Sequence, residues 1–379
     1  MNIAFLTTDN RQADGRYSLT TPYFGTAPAA LLEGLAAHSE AEIHVIACTQ
    51  SPMTSPHQLA KNIHFHSLVV PRWGWLRTGY VGCIQAVQKK LREIQPDLVH
   101  SQGTERDCAV SGVFFRGPKL LTIHGNCRAI AQLPGSKFLS YWWLQARLER
   151  FCLPRFDGVI CISRYTQSWV WGLARKTWLL PNAVDSRFFE IRSRKVGPLP
   201  VILVVAHVDA RKNQIGLIRS LDSVANERPL EVRFFGRCAH DPYGEKFREL
   251  IGTRPWCVWG GMVDREKLRG EFSQASVVML PTWEDNCPMV VLEAQAAGIP
   301  VIASKVGGVP DLIEDGFTGI LTDPTRPETM PQALKTLLDQ PDYAKRLADH
   351  GRKQAAARFH PRVIAEQHLR IYREIIAHR

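Results

Sequence analysis

Apolar residues along this chain recur in two alternating rhythms, short continuous runs closed by small or polar residues and longer stretches with apolar positions three and four apart. Strands buried on both faces read as unbroken apolar runs, and the helices that cross over them read as amphipathic, so the alternation predicts βαβ units around a mostly parallel sheet. The first series places strands at Asn2–Thr7, Ile43–Cys48, Leu98–Ser101, Leu120–His124 and Gly158–Ser163, with helices such as Ala27–His38 and Cys83–Ile94 between them. A second series runs through Val201–Ala206, Glu231–Gly236, Trp256–Trp259, Val277–Leu280, Val301–Ala303 and Gly319–Leu321. Between them Asp185 to Pro200 keeps no period, contains Arg192, Arg194, Lys195, Gly197, Pro198 and Pro200, and reads as an interdomain linker. Pro361 to His378 carries Ile364, Leu369, Tyr372 and Ile376 on one helical face. The expectation is an α/β protein of two Rossmann-like, doubly wound domains, 1–195 and 196–360, with a terminal helix at 361–379 that could pack back on the first. Such sheets bind ligands beyond the carboxyl ends of their strands, so two facing domains would share one deep cleft.

Composition narrows the class. A chain of 379 residues, 45% hydrophobic and 22% charged, can bury two cores and is not disordered. Its longest apolar runs, such as Pro200–Val208, fall short of the roughly 18 residues a membrane span needs. The amino terminus reads as a first strand and not as an export signal. Nine cysteines without a CxxC spacing suit reduced thiols in a cytoplasm and argue against disulfides or structural zinc. The net charge of +11 is uneven, with 23 Lys and Arg against 13 Asp and Glu up to Lys195. That excess fits an anionic ligand or an anionic membrane face, and equally a merely soluble basic surface. No nucleic-acid-binding module accompanies it, and no GxGxxG turn follows a strand, so neither nucleic-acid binding nor nicotinamide chemistry is expected.

The segment from Leu280 to Ile302 carries the chemistry. A strand ends at Leu280, a loop presents Glu284, Asp285 and Asn286, and a helix follows from Met289 to Ala297. Helix amino termini offer free N–H groups and a positive dipole end to anions such as a diphosphate. Asp285 precedes this helix and Glu293 lies one turn inside it, and carboxylates placed so can accept hydrogen bonds from several sugar hydroxyls. Alternatively, Asp285 or Asn286 caps the helix and Glu293 is solvated. That alternative must place a solvated Glu among Val290, Val291, Leu292, Ala294 and Ala296.

This segment resembles the signature of the family-four glycosyltransferases of the GT-B fold, two acids separated by seven residues and followed by Glu-Ala, small residues, Gly and Pro-Val-Ile. The resemblance implies a retaining, metal-independent transferase that moves a hexose from a nucleotide sugar, UDP- or GDP-linked, with no other cofactor. It puts Glu293 on the ribose, the first acid on the donor sugar, and the backbone of Asn286, Cys287, Pro288 and Met289 near the diphosphate. Here the first acid is Asp285 where the family has Glu, and Glu284 stands beside it, leaving open which touches the sugar. Ala206 to Asn213 resembles the family's phosphate-binding loop, with Lys212 matching its lysine and His207 standing where the family has arginine. Arg211 is a candidate to compensate. Gly261 and Met262 fall in the loop near the nucleobase, and Pro181 to Asp185 matches the stretch leading into the linker. Ser304 to Ile313 and Gly316 to Gly319 match elements that close the second domain. In the first domain, the resemblance places His124 near the donor sugar and acceptor, and Gly25 beside the diphosphate.

Lys212 and helix N–H groups would stabilise the leaving diphosphate without a metal. No Asp-x-Asp pair supplies a metal site, and no carboxylate pair suits glycoside hydrolysis. The acceptor implied is a glycan or lipid-linked one, in cell-surface polysaccharide or lipopolysaccharide synthesis. Trp142, Trp143, Leu144, Arg147 and Arg150 form either an interfacial helix on the inner face of an anionic plasma membrane or a buried aromatic cluster capped by arginines. A catalytically silent sugar-nucleotide-binding protein is the competing reading.

Overall fold

Both predicted series of strands form parallel sheets in the computed structural model, which describes residues 1–13, 15–132, 139–191 and 199–378. The chain divides into two units, Met1–Ala183 with Pro361–Arg379, and Val184–His360. The boundary expected between residues 195 and 196 lies outside the described residues.

The first unit contains β1 (Asn2–Leu6), β2 (Glu42–Thr49), β3 (Gln58–Ala60), β4 (Ile63–Val69), β5 (Leu98–Gln102), β6 (Lys119–Ile123), β7 (Gly158–Cys161) and β8 (Thr177–Leu179). They lie in the order β3-β4-β2-β1-β5-β6-β7-β8, parallel throughout except for β3 against β4. The hydrophobic pattern did not predict β3, β4 or β8. In β4 the apolar Ile63 and Phe65 alternate with His64 and His66, so only one face is buried, and β3 and β8 are three residues each. Helices α1 (Thr26–Ala36), α2 (Val81–Ile94), α3 (Asp107–Val113), α4 (Cys127–Ile130), α5 (Tyr141–Cys152) and α6 (Arg164–Val170) complete this part of the unit.

The second unit holds β9 (Val201–Val205), β10 (Glu231–Phe235), β11 (Cys257–Gly261), β12 (Val277–Leu280), β13 (Val301–Ser304) and β14 (Ile320–Thr322). Their order is β11-β10-β9-β12-β13-β14, the doubly wound arrangement in which strand order reverses between β9 and β12. Its helices are α7 (Gln214–Glu227), α8 (Pro242–Gly252), α9 (Arg265–Gln274), α10 (Met289–Ala297), α11 (Thr329–Asp339) and α12 (Pro341–Arg358). Val204, Leu217, Leu221, Phe234, Phe247 and Leu334 are among its core residues.

The last helix, α13 (Pro361–Ala377), returns to the first unit. It buries Ile364, Leu369, Tyr372 and Ile375 against Leu31 and Leu35 of α1. Glycine is required where the two helices cross, because a Cβ on Gly34 would stand 2.2 Å from the Pro361 carbonyl oxygen. Among the described residues no helix is long and apolar enough to cross a membrane, and all nine cysteines are free.

Candidate functional site

Strand order reverses between β9 and β12, the place beyond whose carboxyl ends sheets of this kind bind ligands. After β9 a short turn, Ala210–Lys212, is capped by Asp209, whose carboxylate accepts the Lys212 amide at 2.9 Å. After β12 the Thr282 hydroxyl and the Trp283 amide both donate to the Arg211 carbonyl, at 3.1 and 2.7 Å. These bonds sew the two loops together and fix two ion pairs across them. The Lys212 ammonium meets Asp285, and the Arg211 guanidinium meets Glu284 at 3.2 Å. Asp285 is buried, whereas Glu284 is half-buried. The Asp285 carbonyl accepts the Gly308 amide at 2.9 Å. Gly307, at φ +52°, packs so closely that a Cβ there would lie 2.1 Å from that carbonyl oxygen.

Asn286, Cys287 and Pro288 are buried as the chain turns into α10, with Met289 half-buried at its first position. Pro288 occupies the cap position and no side chain caps the helix, so neither Asp285 nor Asn286 has the capping role. Glu293 is only 3% exposed, which also removes the solvated-helix alternative. Its Oε1 accepts from Arg265 of α9 at 3.3 Å, and the same guanidinium reaches Asp185 at 3.2 Å. Burial pushes the Glu293 carboxyl up, and Arg265 opposes that shift. Burial also works against charge on Asp185, but the Arg187 side chain and amide, with Arg265, outweigh it and hold that carboxyl below its usual range. His207 is exposed, and its carbonyl accepts from Gln214 at 2.8 Å. Gly261 ends β11, its carbonyl accepting the Gly236 amide at 2.9 Å, and Met262 beyond it is exposed.

Gly25 and His124 belong to the first unit. Gly25 precedes α1 as its cap residue. His124 follows directly after β6, and its Nε2 lies 2.8 Å from the Gln102 side-chain oxygen at the end of β5. Gln102 also contacts His100, which reaches Tyr372 of α13 and Thr122, each at 2.7 Å. Burial lowers His124 to about 4, only partly offset by Asn182, so the imidazole is neutral at physiological pH. The arrangement therefore fits a hydrogen-bonding imidazole and not a proton-donating acid.

Sequence reasoning missed several participants. Arg265 stands in a polar helix with no motif to mark it, and Asp185 was taken only as part of a stretch entering the linker. Glu105 follows β5 and is pushed up to about 7 by burial, against the pull of backbone amides including that of Gly125. Glu149 of α5 accepts the Thr104 hydroxyl at 2.7 Å and the Cys127 amide at 3.0 Å. A carboxylate just past a strand's carboxyl end was the available signal for Glu105. On α5, Trp142, Trp143 and Leu144 are half-buried while Arg147 and Arg150 are exposed, with Arg147 lying 4.7 Å over the Trp143 ring. The helix thus matches neither a fully buried cluster nor a free apolar face. Cys48, Cys83 and Asp107 bring three ligand atoms within 4.8 Å of one another in the first unit, where only metal-free chemistry was expected.

Known proteins match along most of the chain. The model for glycosyl transferases group 1 matches residues 186–354, and that for glycosyltransferase family 4 matches residues 28–188. An alpha-D-kanosaminyltransferase from Streptomyces kanamyceticus is 30% identical over 193 residues, 50% of this chain and 50% of the relative. A GDP-mannose-dependent alpha-(1-6)-phosphatidylinositol monomannoside mannosyltransferase from Mycobacterium tuberculosis is 28% identical over 261 residues, 62% of this chain and 66% of the relative. The chain thus spans about half the length of the first of these relatives and 66% of the second. Sucrose-phosphate synthase from Thermosynechococcus elongatus shares the fold, with a TM-score of 0.81 at 20% identity over 100% of both chains. With both family models matched in tandem and the doubly wound sheets in place, this chain belongs to the family-four glycosyltransferases of the GT-B fold.

Proposed function

We propose that this protein transfers a hexose from a UDP- or GDP-linked donor to a glycan or lipid-linked acceptor, with retention of anomeric configuration and without a metal ion. The observation that carries this reading is the ion pair of Lys212 and Asp285 at the strand-order reversal, beside the amino terminus of α10 with Glu293 one turn in. The C1–O bond to the diphosphate breaks with its electron pair left on the phosphate oxygen. The acceptor oxygen bonds to C1 on the same face, and its proton passes to the departing phosphate. Lys212 and the α10 amides meet the charge that develops on that phosphate. Glu293 accepts ribose hydroxyls, and Asp285 or Glu284 accepts hydroxyls of the donor sugar. His124, neutral and held by Gln102, bonds to a sugar or acceptor hydroxyl. The printed activities of the kanosaminyl- and mannosyltransferase relatives support sugar transfer. Arg147 and Arg150, exposed beside half-buried tryptophans on α5, suit contact with an anionic membrane carrying a lipid-linked acceptor at a cytoplasmic face.

The test is a panel of UDP-, GDP- and ADP-sugars assayed for binding and turnover with the parent and with Lys212→Ala, Asp285→Ala and Glu293→Ala. The parent should turn over at least one donor, in EDTA as well as without it, and give a product whose anomeric proton coupling matches the donor's. Equal donor binding by all three variants would overturn the site. Binding without turnover, across a broad set of glycan and lipid-linked acceptors, would favour a silent sugar-nucleotide-binding protein. Flotation with anionic liposomes reads the membrane contact, and absence of the protein from the lipid layer would remove it.

A further inference from the structure

Glu293 is a charged side chain sealed into the second unit. The elements packed on α10 supply few groups that face it. Strands β12 and β13 carry no titratable side chain. From α12, Arg352 turns to the carbonyls of Ile191 and Phe189. The short turn Ser186–Phe188 at the start of the second unit brings Asp185 at its cap, itself held by Arg187 at 2.6 Å. Arg265 is the cation that reaches Glu293, and it bonds Oε1 alone, at 3.3 Å. Oε2 has no hydrogen-bond partner among the described residues.

Arg265 is itself held on several sides. Its Nε donates to Asp185 at 3.2 Å, and its guanidinium lies 5.4 Å over the ring of Phe188. Phe188 is fully buried and packs edge-on against Phe272, later in the same helix α9, at 5.1 Å between ring centres. The guanidinium is thereby placed by two contacts, Asp185 and the Phe188 ring, and presents one N–H edge to Glu293.

We propose that Arg265 is a positioning residue for the donor, holding Oε1 of Glu293 so that the carboxylate stays charged and Oε2 is left to accept the donor's ribose hydroxyls. This inference rests on the nucleotide-sugar reading given above. An ionised carboxylate accepts hydrogen bonds at both oxygens, whereas a protonated one loses part of that capacity. Burial already favours the protonated form of Glu293, with Arg265 as the opposing influence. Without Arg265 burial is unopposed, so Glu293 takes up a proton at higher pH than in the parent and donor affinity becomes dependent on pH. The binding form is the ionised one, so affinity in an Arg265 variant is weakest at low pH and recovers as pH rises.

The experiment measures Kd for UDP-glucose, GDP-mannose and ADP-glucose from pH 5.5 to 9, probes whose phosphodiester groups do not titrate in that range. It compares the parent with Arg265→Gln, Arg265→Lys, Glu293→Gln and the Arg265→Gln/Glu293→Gln double variant. The parent should bind one probe with a flat profile from pH 6 to 9. Arg265→Gln should bind about tenfold more weakly than the parent at the acid end of the range and recover toward it as pH rises, since each pH unit below a pKa is worth up to a factor of ten. Arg265→Lys should restore most of the affinity at pH 6, and the double variant should be flat and weak. A deficit in Arg265→Gln that is constant across pH, or none at all, overturns the inference and leaves the donor site standing. A parent that binds none of the three probes overturns the donor site itself.

Discussion

Around His124 the first unit holds titratable groups that burial pushes toward their neutral forms, whereas around Lys212 the second unit pairs opposite charges. His124 and His368 are lowered to about 4 by burial, and Glu105 is pushed up to about 7 by the same cause, so each is held toward its neutral form. Lys212 with Asp285, Arg211 with Glu284, and Arg265 with Glu293 and Asp185 keep opposite charges in contact instead. A paired cation can also take a ligand's anion, provided the buried carboxylate it leaves finds donors of its own, such as ligand hydroxyls. A neutral network offers no charge to exchange and suits hydroxyl groups. Under the proposed function, the loops around Lys212 suit an anion and the groups around His124 an uncharged partner.

Removing the cation of the second unit should produce the largest effect. Lys212→Ala should lower turnover by about a hundredfold to a thousandfold, the range seen when one group stabilising a developing oxyanion is lost. A fall confined to KM, with kcat intact, would mean that Lys212 binds the ground state alone.

Next in size is the acid response of the first unit. A histidine lowered in the folded state contributes stability that is fully present above its unfolded value of 6.5 and is lost as pH falls toward about 4. At pH 5 buried His368 should thus cost up to about 2 kcal/mol relative to pH 7, and half-buried His124 less. Glu105 acts in the opposite sense, its contribution present below 4.5 and lost as pH rises through about 7. Glu105→Gln should therefore steepen the acid loss. Hydrogen exchange at pH 7 and pH 5 reads each unit separately, and equal loss of protection in both would break the comparison.

A smaller effect is expected at Gly307, where alanine must adopt a positive φ and displace the Asp285 carbonyl. Gly307→Ala should cost about 1 to 2 kcal/mol by urea denaturation, with weakened donor binding. The smallest belongs to Arg211→Ala, because the guanidinium is 39% exposed and its pair with Glu284 is screened. That change should cost under about 1 kcal/mol. A loss as large as that of Lys212→Ala would show that Arg211 takes the role that His207 leaves vacant.

The sequence carried the fold because parallel strands are buried on both faces, and runs such as Val201–Val205 and Val277–Leu280 have few other uses. β4 escaped because its alternation of Ile63, Phe65 and the histidines hides half its faces from a search for apolar runs. At the site, Lys212 and Asp285 were legible since they lie on the loops after two adjacent strands, and Glu293 since it follows Asp285 at motif spacing within α10. Arg265 was not, because its meaning arises only where α9 folds against α10 and Phe188 sets its plane. The polar contacts of His124 were equally hidden, since Gln102 and Asn182 come from separate strand ends.

The return of α13 to the first unit has a consequence for how the protein is made. Residues 184–360 lie between the two parts of that unit, so the ribosome delivers the whole second unit before the first can close. Domains fold as they emerge, usually from the amino terminus onward. Here closure of the first unit waits on the last helix, because Leu31 and Leu35 of α1 gain Ile364, Leu369 and Tyr372 as core neighbours only once those residues leave the exit tunnel. Nascent chains stalled before residue 361 should present that apolar strip to chaperones, and release of the last helix should end the interaction.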